Sequence, residues 1–203
     1  MRICLVRSLA LLLLGLCGFS LPGAAENILT IAIESDPANI DPRFGIDGNS
    51  YRVWQLTSNG LVQKDPVSNL IPDLAERWEN PDEKTYIFYL KQGIFFHDGS
   101  EFTAEDVKYT FETLLDPKLK SPKAAGLQKI DHIEILDPYT IQFTLQEVYS
   151  PFLIEMVQAI VPKAAAEQQA GQRFTERLIG TGPFRLVEWT HDEQLVFEAN
   201  SEY

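Results

Sequence analysis

The chain has 203 residues, 45% of them apolar and 23% charged, so it is long enough to bury a proper core and too apolar to be disordered. A net charge of −12 leaves no basic face for nucleic acid or for an anionic membrane surface, and neither is expected as a partner. Both cysteines, Cys4 and Cys17, lie within the first 17 residues, which excludes a disulfide framework or a cysteine zinc site from the rest.

Residues 1–25 read as an export signal. Arg2 and Arg7 make a positive start, residues 9–16 an apolar run, and Leu21-Pro22 a helix break. Gly23, Ala24 and Ala25 then supply small residues for cleavage before Glu26. The run is too short for a comfortable membrane span, so an N-terminal anchor is the weaker reading. Lipidation would fall on Cys17, but in the preceding Leu14-Gly15-Leu16 a bulky Leu16 stands where a lipoprotein peptidase prefers a small residue. The expectation is a periplasmic protein with no cysteine after processing, a safe composition for an oxidising compartment.

In chain order, Leu29, Ile31 and Ile33 alternate with Thr30 and Ala32 and predict a strand over 29–33. Residues 34–49 carry Pro37, Pro42, Gly45 and Gly48 and predict a loop. Ser50 is the expected cap of a helix from Tyr51 to about Ser58, ended by Gly60. Asp65-Pro66 and Asn80-Pro81-Asp82 predict turns, the second leading into an aromatic and β-branched strand over 85–90. Asp98-Gly99 predicts a tight turn. Thr103 then caps a helix over 103–115, with Asp106 at the third position, Phe102 and Val107 as a staple, and Val107, Phe111, Leu114 and Leu115 on one stripe.

Ile133 and Ile135, then Ile141, Phe143 and Leu145, alternate about Asp137-Pro138 and predict a hairpin. Ser150-Pro151 opens a predicted helix over 151–160, and 163–170 reads as a short helix stopped by Gly171. Residues 185–189 and 194–198 predict a closing pair of strands. The fold class is α/β, with mixed α and β elements.

No catalytic apparatus is visible. His97, His132 and His191 form no metal-binding pair or helix motif, and His97-Asp98 reads as the flank of a glycine turn. There is no Gly-x-Ser-x-Gly elbow, and no cysteine follows Cys17 to act as a thiol nucleophile. Gly180-Thr181-Gly182 resembles half a nucleotide loop, but Pro183 and a strand follow where a phosphate loop must open a helix. Glu105-Asp106 sits at a helix N-terminus, where acids are favoured for structural reasons. Neither a catalytic residue, a metal site nor a cofactor is expected.

Four stretches together carry a resemblance. Leu70-Ile71-Pro72-Asp73-Leu74-Ala75-Glu76-Arg77-Trp78-Glu79 continues in register into Tyr86 to Gly99, and Phe102-Thr103-Ala104-Glu105-Asp106-Val107 follows. Gly180-Thr181-Gly182-Pro183-Phe184 leads to Trp189, and Ile40-Asp41-Pro42 stands near the start. In this order and spacing the set resembles the extracytoplasmic solute-binding proteins of family 5, the peptide and nickel class, over nearly all of 27–203. That resemblance implies a periplasmic-binding-protein-like lobe with an inserted α+β subdomain. It implies a monomeric receptor that binds a peptide or other small molecule in a hinged cleft and delivers it to an ABC permease.

By the same resemblance Glu34, Ser35 and Asp36, after the first strand, lie at the cleft. Tyr109 and Trp78 read as packing residues. Segments 27–65 and 177–203 correspond to the core of the first lobe and 66–176 to its insert. Family members are well over twice this length, so the second lobe is expected to be missing and the chain to be truncated. The competing readings are a secreted one-lobe interaction module without ligand and a secreted hydrolase.

Overall fold

The computed structural model describes residues 28–168 and 178–203. The export signal, Cys4, Cys17 and the predicted stop at Gly171 lie outside the described residues. Residues 28–32 and 33–203 form two separate units. The first unit has no helix or strand over 28–32, and its Ile28, Leu29 and Ile31 are exposed.

The predicted strand over 29–33 does not form. Its β-branched pattern describes a side-chain surface, which becomes a strand only when a neighbour takes up the backbone hydrogen bonds.

In the second unit, helix α1 (Gly48–Thr57) follows the loop. The helix starts one turn earlier than predicted, because Asp47 and not Ser50 caps it. The Asp47 carboxylate accepts the Asn49 and Ser50 N–H groups at 3.1 and 2.9 Å. The Ser50 hydroxyl is turned back onto Asp47 and takes the Asn39 N–H at 3.1 Å. Strands β1 (Val62–Lys64) and β2 (Leu70–Pro72) form a hairpin about the Asp65-Pro66 turn.

A four-stranded antiparallel sheet of order β3-β4-β6-β5 then builds the main core. Its strands are β3 (Ala75–Asp82), β4 (Thr85–Leu90), β5 (Ile130–Asp137) and β6 (Thr140–Leu145). The predicted turn at Asn80-Pro81-Asp82 falls inside β3, and the chain reverses at Glu83 and Lys84 instead. As the sheet's edge, β3 tolerates a proline that has no N–H to donate, and its register is broken between Glu79 and Asp82.

Alternation on β4 and β6 directs Tyr86, Phe88, Leu90, Ile141, Phe143 and Leu145 to one buried face. Against it lies α2 (Ala104–Leu115), whose Val107, Phe111 and Leu114 are fully buried. Its predicted cap is realised as a capping box between Thr103 and Asp106. Phe143 sits at the centre, with its ring 5.2 to 5.7 Å from those of Phe88, Phe111 and Phe152. Trp78 and Tyr109 pack on this cluster as expected.

Two short helices, α3 (Ala124–Leu127) and α4 (Phe152–Glu155), flank the core. The helix predicted over 151–160 stops at Glu155. Beyond it the backbone bonds elsewhere: Met156 C=O accepts the Leu61 and Val62 N–H groups, and Ile160 N–H donates to Asn59 C=O. Tertiary pairing therefore overrides the local helical pattern. Helix α5 (Lys163–Gln168) precedes the closing ribbon of β7 (Phe184–Thr190) and β8 (Gln194–Ala199). A second, smaller cluster of Ile40, Val53, Trp54 and Leu178 joins α1 to this ribbon, with Leu186, Trp189, Leu195 and Phe197 packed against it.

Candidate functional site

The loop 34–47 wraps the N-terminal end of α1, and most of its polar groups are already committed. Glu34 is exposed and forms a surface ion pair with Arg52 at 3.3 Å, which is weak because water screens it. The backbone carbonyl and hydroxyl of Ser35 accept both N–H groups of the Asn49 amide, at 2.8 and 2.9 Å. Asn49 is buried and its oxygen accepts from Arg52, so one side chain links the loop to the helix.

Asp36 is held from the far end of the sequence. Trp189 Nε1–H donates to its carboxylate at 2.9 Å, and His191 Nδ1 lies 3.0 Å from the other oxygen. The Trp189 and His191 rings stack with centroids 4.0 Å apart. Burial pushes the Asp36 carboxyl up, but the hydrogen bonds from Trp189 and His191 outweigh it and hold the group below its usual range.

Further along the loop, Asp41 and Arg43 form a fully buried bidentate pair at 3.0 and 2.7 Å. Among the described residues, Ser121, Lys123 and Gln158 fasten this stretch to the rest of the fold. Ser121 Oγ donates to Arg43 C=O at 2.6 Å, Lys123 Nζ to Pro42 C=O at 2.6 Å, and Gln158 Nε2 to the same carbonyl at 3.1 Å. The Lys123 ammonium also lies 3.6 Å from the centroid of the Trp54 ring. Burial pulls the Lys123 amine down to about 7, against the opposing effect of Asp41.

A concavity of about 190 Å³ opens beside α1, with Tyr51, Trp54, Asn59, Lys64, Asp73 and Tyr203 among its walls. Asn59 organises its floor: its amide donates to both Asp73 oxygens, at 3.0 and 3.2 Å, and its oxygen accepts from Thr181 at 3.0 Å. Burial raises the Asp73 carboxyl above its ordinary value despite those bonds.

The motif Gly180-Thr181-Gly182 opens no helix and leads into β7. It threads between the end of α1 and the His97 turn, with Gly182 N–H donating to Thr57 C=O at 2.9 Å. A Cβ at Gly180 would strike Thr57 C=O and Ser58 Oγ, and one at Gly182 would come within 2.5 Å of the Thr57 carbonyl carbon. Glycine is needed here because the helix backbone approaches directly.

Glu34, Ser35 and Asp36, expected at the cleft by resemblance, start the loop that leads into α1, and none of them lines the concavity. The resemblance gave only these three. It missed Asn49, Trp189, His191 and Lys123, because each contacts the loop across 14 to 155 residues of sequence. Among the described residues no cluster of three His, Cys, Asp or Glu could hold a metal, and no helix is long and apolar enough to cross a membrane.

Comparison with known proteins places this architecture. The model for bacterial extracellular solute-binding proteins, family 5 Middle, matches residues 69–203. Di/tripeptide-binding protein 3 of Pseudomonas aeruginosa is 35% identical over 89% of this chain and 39% of its own length. NikZ from Campylobacter jejuni, solved with Ni(L-His), superposes with a TM-score of 0.77 at 32% identity, covering 84% of this chain and 35% of NikZ. DppA from Helicobacter pylori, solved with the peptide STSA, gives 0.76 at 32% identity, covering 83% of this chain and 38% of DppA. The chain thus spans between a third and two fifths of the length of these relatives. By family match, identity and fold alike, it belongs to the bacterial extracellular solute-binding proteins of family 5.

Proposed function

We propose that this chain carries part of the ligand cleft of a periplasmic solute-binding protein that takes short peptides and delivers them to an ABC permease. Supporting this are the relatives named for di- and tripeptide binding and a structural neighbour holding a peptide. In this reading the chain acts as a monomer, exported by its first 25 residues. Segments 27–65 and 177–203 form the lobe core, a division supported by the smaller cluster drawing residues from both. Segment 66–176 is the insert that holds the large aromatic core.

The observation that carries the proposal is the loop 34–36 beside the concavity-lining helix α1. Its three residues take different roles. Glu34 is the group most open to a ligand, since its side chain is 74% exposed and held by its own backbone N–H and the surface Arg52. Ser35 and Asp36 position the loop through Asn49, Trp189 and His191. A carboxylate held there suits the ammonium terminus or a donor group of a peptide, and the permissive side-chain selection of peptide receptors needs little more.

Equilibrium dialysis of labelled di- and tripeptides against the full chain, with Ni(L-His) as competitor, tests the assignment. Peptide retained in proportion to protein and lost on Glu34→Ala supports it. Retention of the nickel complex with no retention of peptide would reassign the ligand class.

A further inference from the structure

His97 stands at the join between the sheet subdomain and the β7–β8 ribbon, and its contacts are specific to one protonation state. Nε2 lies 3.0 Å from Gly182 C=O, a partner that only an N–H can satisfy. Nδ1 accepts the Gly180 N–H at 3.3 Å, which only a bare ring nitrogen can do. The backbone adds a third bond, His97 N–H to Gly180 C=O at 2.9 Å. The ring is therefore neutral, with its proton on Nε2.

Adding a proton to Nδ1 would set two N–H donors against each other. Gly180 cannot relieve this by shifting towards α1, whose end already lies against Gly180 and Gly182, so the contact with His97 has to open. Among the described residues, the charges facing the ring are Asp98 from its own turn, which favours protonation, and Arg185 from β7, which opposes it. The neighbouring end of α1 offers only Thr57 and Ser58. Burial is the largest influence and holds the imidazole below its ordinary value.

The geometry points to His97 as an acid-released latch: neutral, it clamps 180–182 between its own turn and α1, and protonated, it frees Gly180 and loosens the ribbon that follows. The consequence reaches the candidate site, because Asp36 is held by Trp189 and His191 at the far end of β7. The latch itself does not depend on what the site binds.

Hydrogen exchange of the full chain at about pH 7.5 and about pH 5 brackets the ordinary imidazole range, and rates are corrected for intrinsic chemistry. Peptides spanning 178–190 should lose roughly tenfold protection in acid, the equivalent of one hydrogen bond, while those over β4 hold theirs. His97→Gln keeps a donor and an acceptor in one planar group at either pH and should abolish the difference. Unchanged protection in the native chain, or the same loss in His97→Gln, overturns the latch. Nitrogen-15 spectra of the native imidazole decide the matter even if the variant folds poorly. Nδ1 must be bare at the higher pH and gain its proton as the protection falls, and a ring already protonated at Nδ1 would end the proposal.

Discussion

Replacing Gly180 by alanine is the sharpest perturbation of this fold. The new methyl would collide with Thr57 C=O and Ser58 Oγ and lie 2.9 Å from the Thr57 carbonyl carbon. Two of those three atoms belong to the backbone at the end of α1, so no side-chain rotation relieves the clash. Overpacking of this kind costs about 1–3 kcal/mol. Displacing the segment also stretches the His97–Gly180 bonds and the Gly182–Thr57 bond, worth about 1 kcal/mol each. With one of these bonds lost on top of the overpacking, the expected loss is about 2–4 kcal/mol, a large part of a typical domain's stability.

Gly48→Ala is the matched control. Gly48 opens α1, and its added Cβ meets nothing within 4 Å. That substitution should be neutral or stabilise by up to about 1 kcal/mol through lower backbone entropy in the unfolded chain. Urea unfolding of both variants, with the dependence on denaturant unchanged, reads the difference directly. If Gly180→Ala lies within about 0.5 kcal/mol of Gly48→Ala, the range of ordinary surface changes, the packing of 180–182 on α1 is wrong.

Three further outcomes follow from the packing and charge described above. Phe143→Ala removes a fully buried ring that touches three others and should destabilise by about 3–5 kcal/mol in the same assay. Asp106→Ala removes the acceptor of the Thr103 and Lys163 N–H groups, both at 2.9 Å. It should cost about 1–3 kcal/mol and weaken exchange protection at the start of α2. Lys123 titrates at about 7 in the folded chain, against about 10.4 when unfolded. Between those values the unfolded chain binds more protons, so stability should climb as pH rises through that window. Lys123→Met should remove that rise when unfolding is compared at about pH 7 and about pH 9.5.

What the sequence disclosed was local. The Thr103–Asp106 cap, the Asp98-Gly99 turn with Gly99 at φ +84°, and the hairpin about Asp137-Pro138 are each fixed by residues within a few positions of one another. What it concealed depends on distant chain. The pattern over 29–33 carries strand propensity but forms no ladder. The stretch after Glu155 has helical spacing, yet gives its hydrogen bonds to segment 59–62. At the candidate site, Glu34, Ser35 and Asp36 were expected only through family resemblance. The groups that fix them were not legible: Trp189 and His191 reach Asp36 from more than 150 residues away. The glycines of 180–182 were noticeable as a motif, but their use is apparent only once α1 is seen lying against them.

In the proposed function, loop 34–36 and the adjoining face of α1 meet a peptide. Chemical-shift mapping of the isotopically labelled full chain against a pool of di- and tripeptides tests it most directly, because weak binding still shifts resonances. Saturable shifts should gather on Glu34, Ser35, Tyr51 and the residues around Asn59. Shifts that fail to saturate, or that gather on the outer face of the β3-β4-β6-β5 sheet, would contradict it.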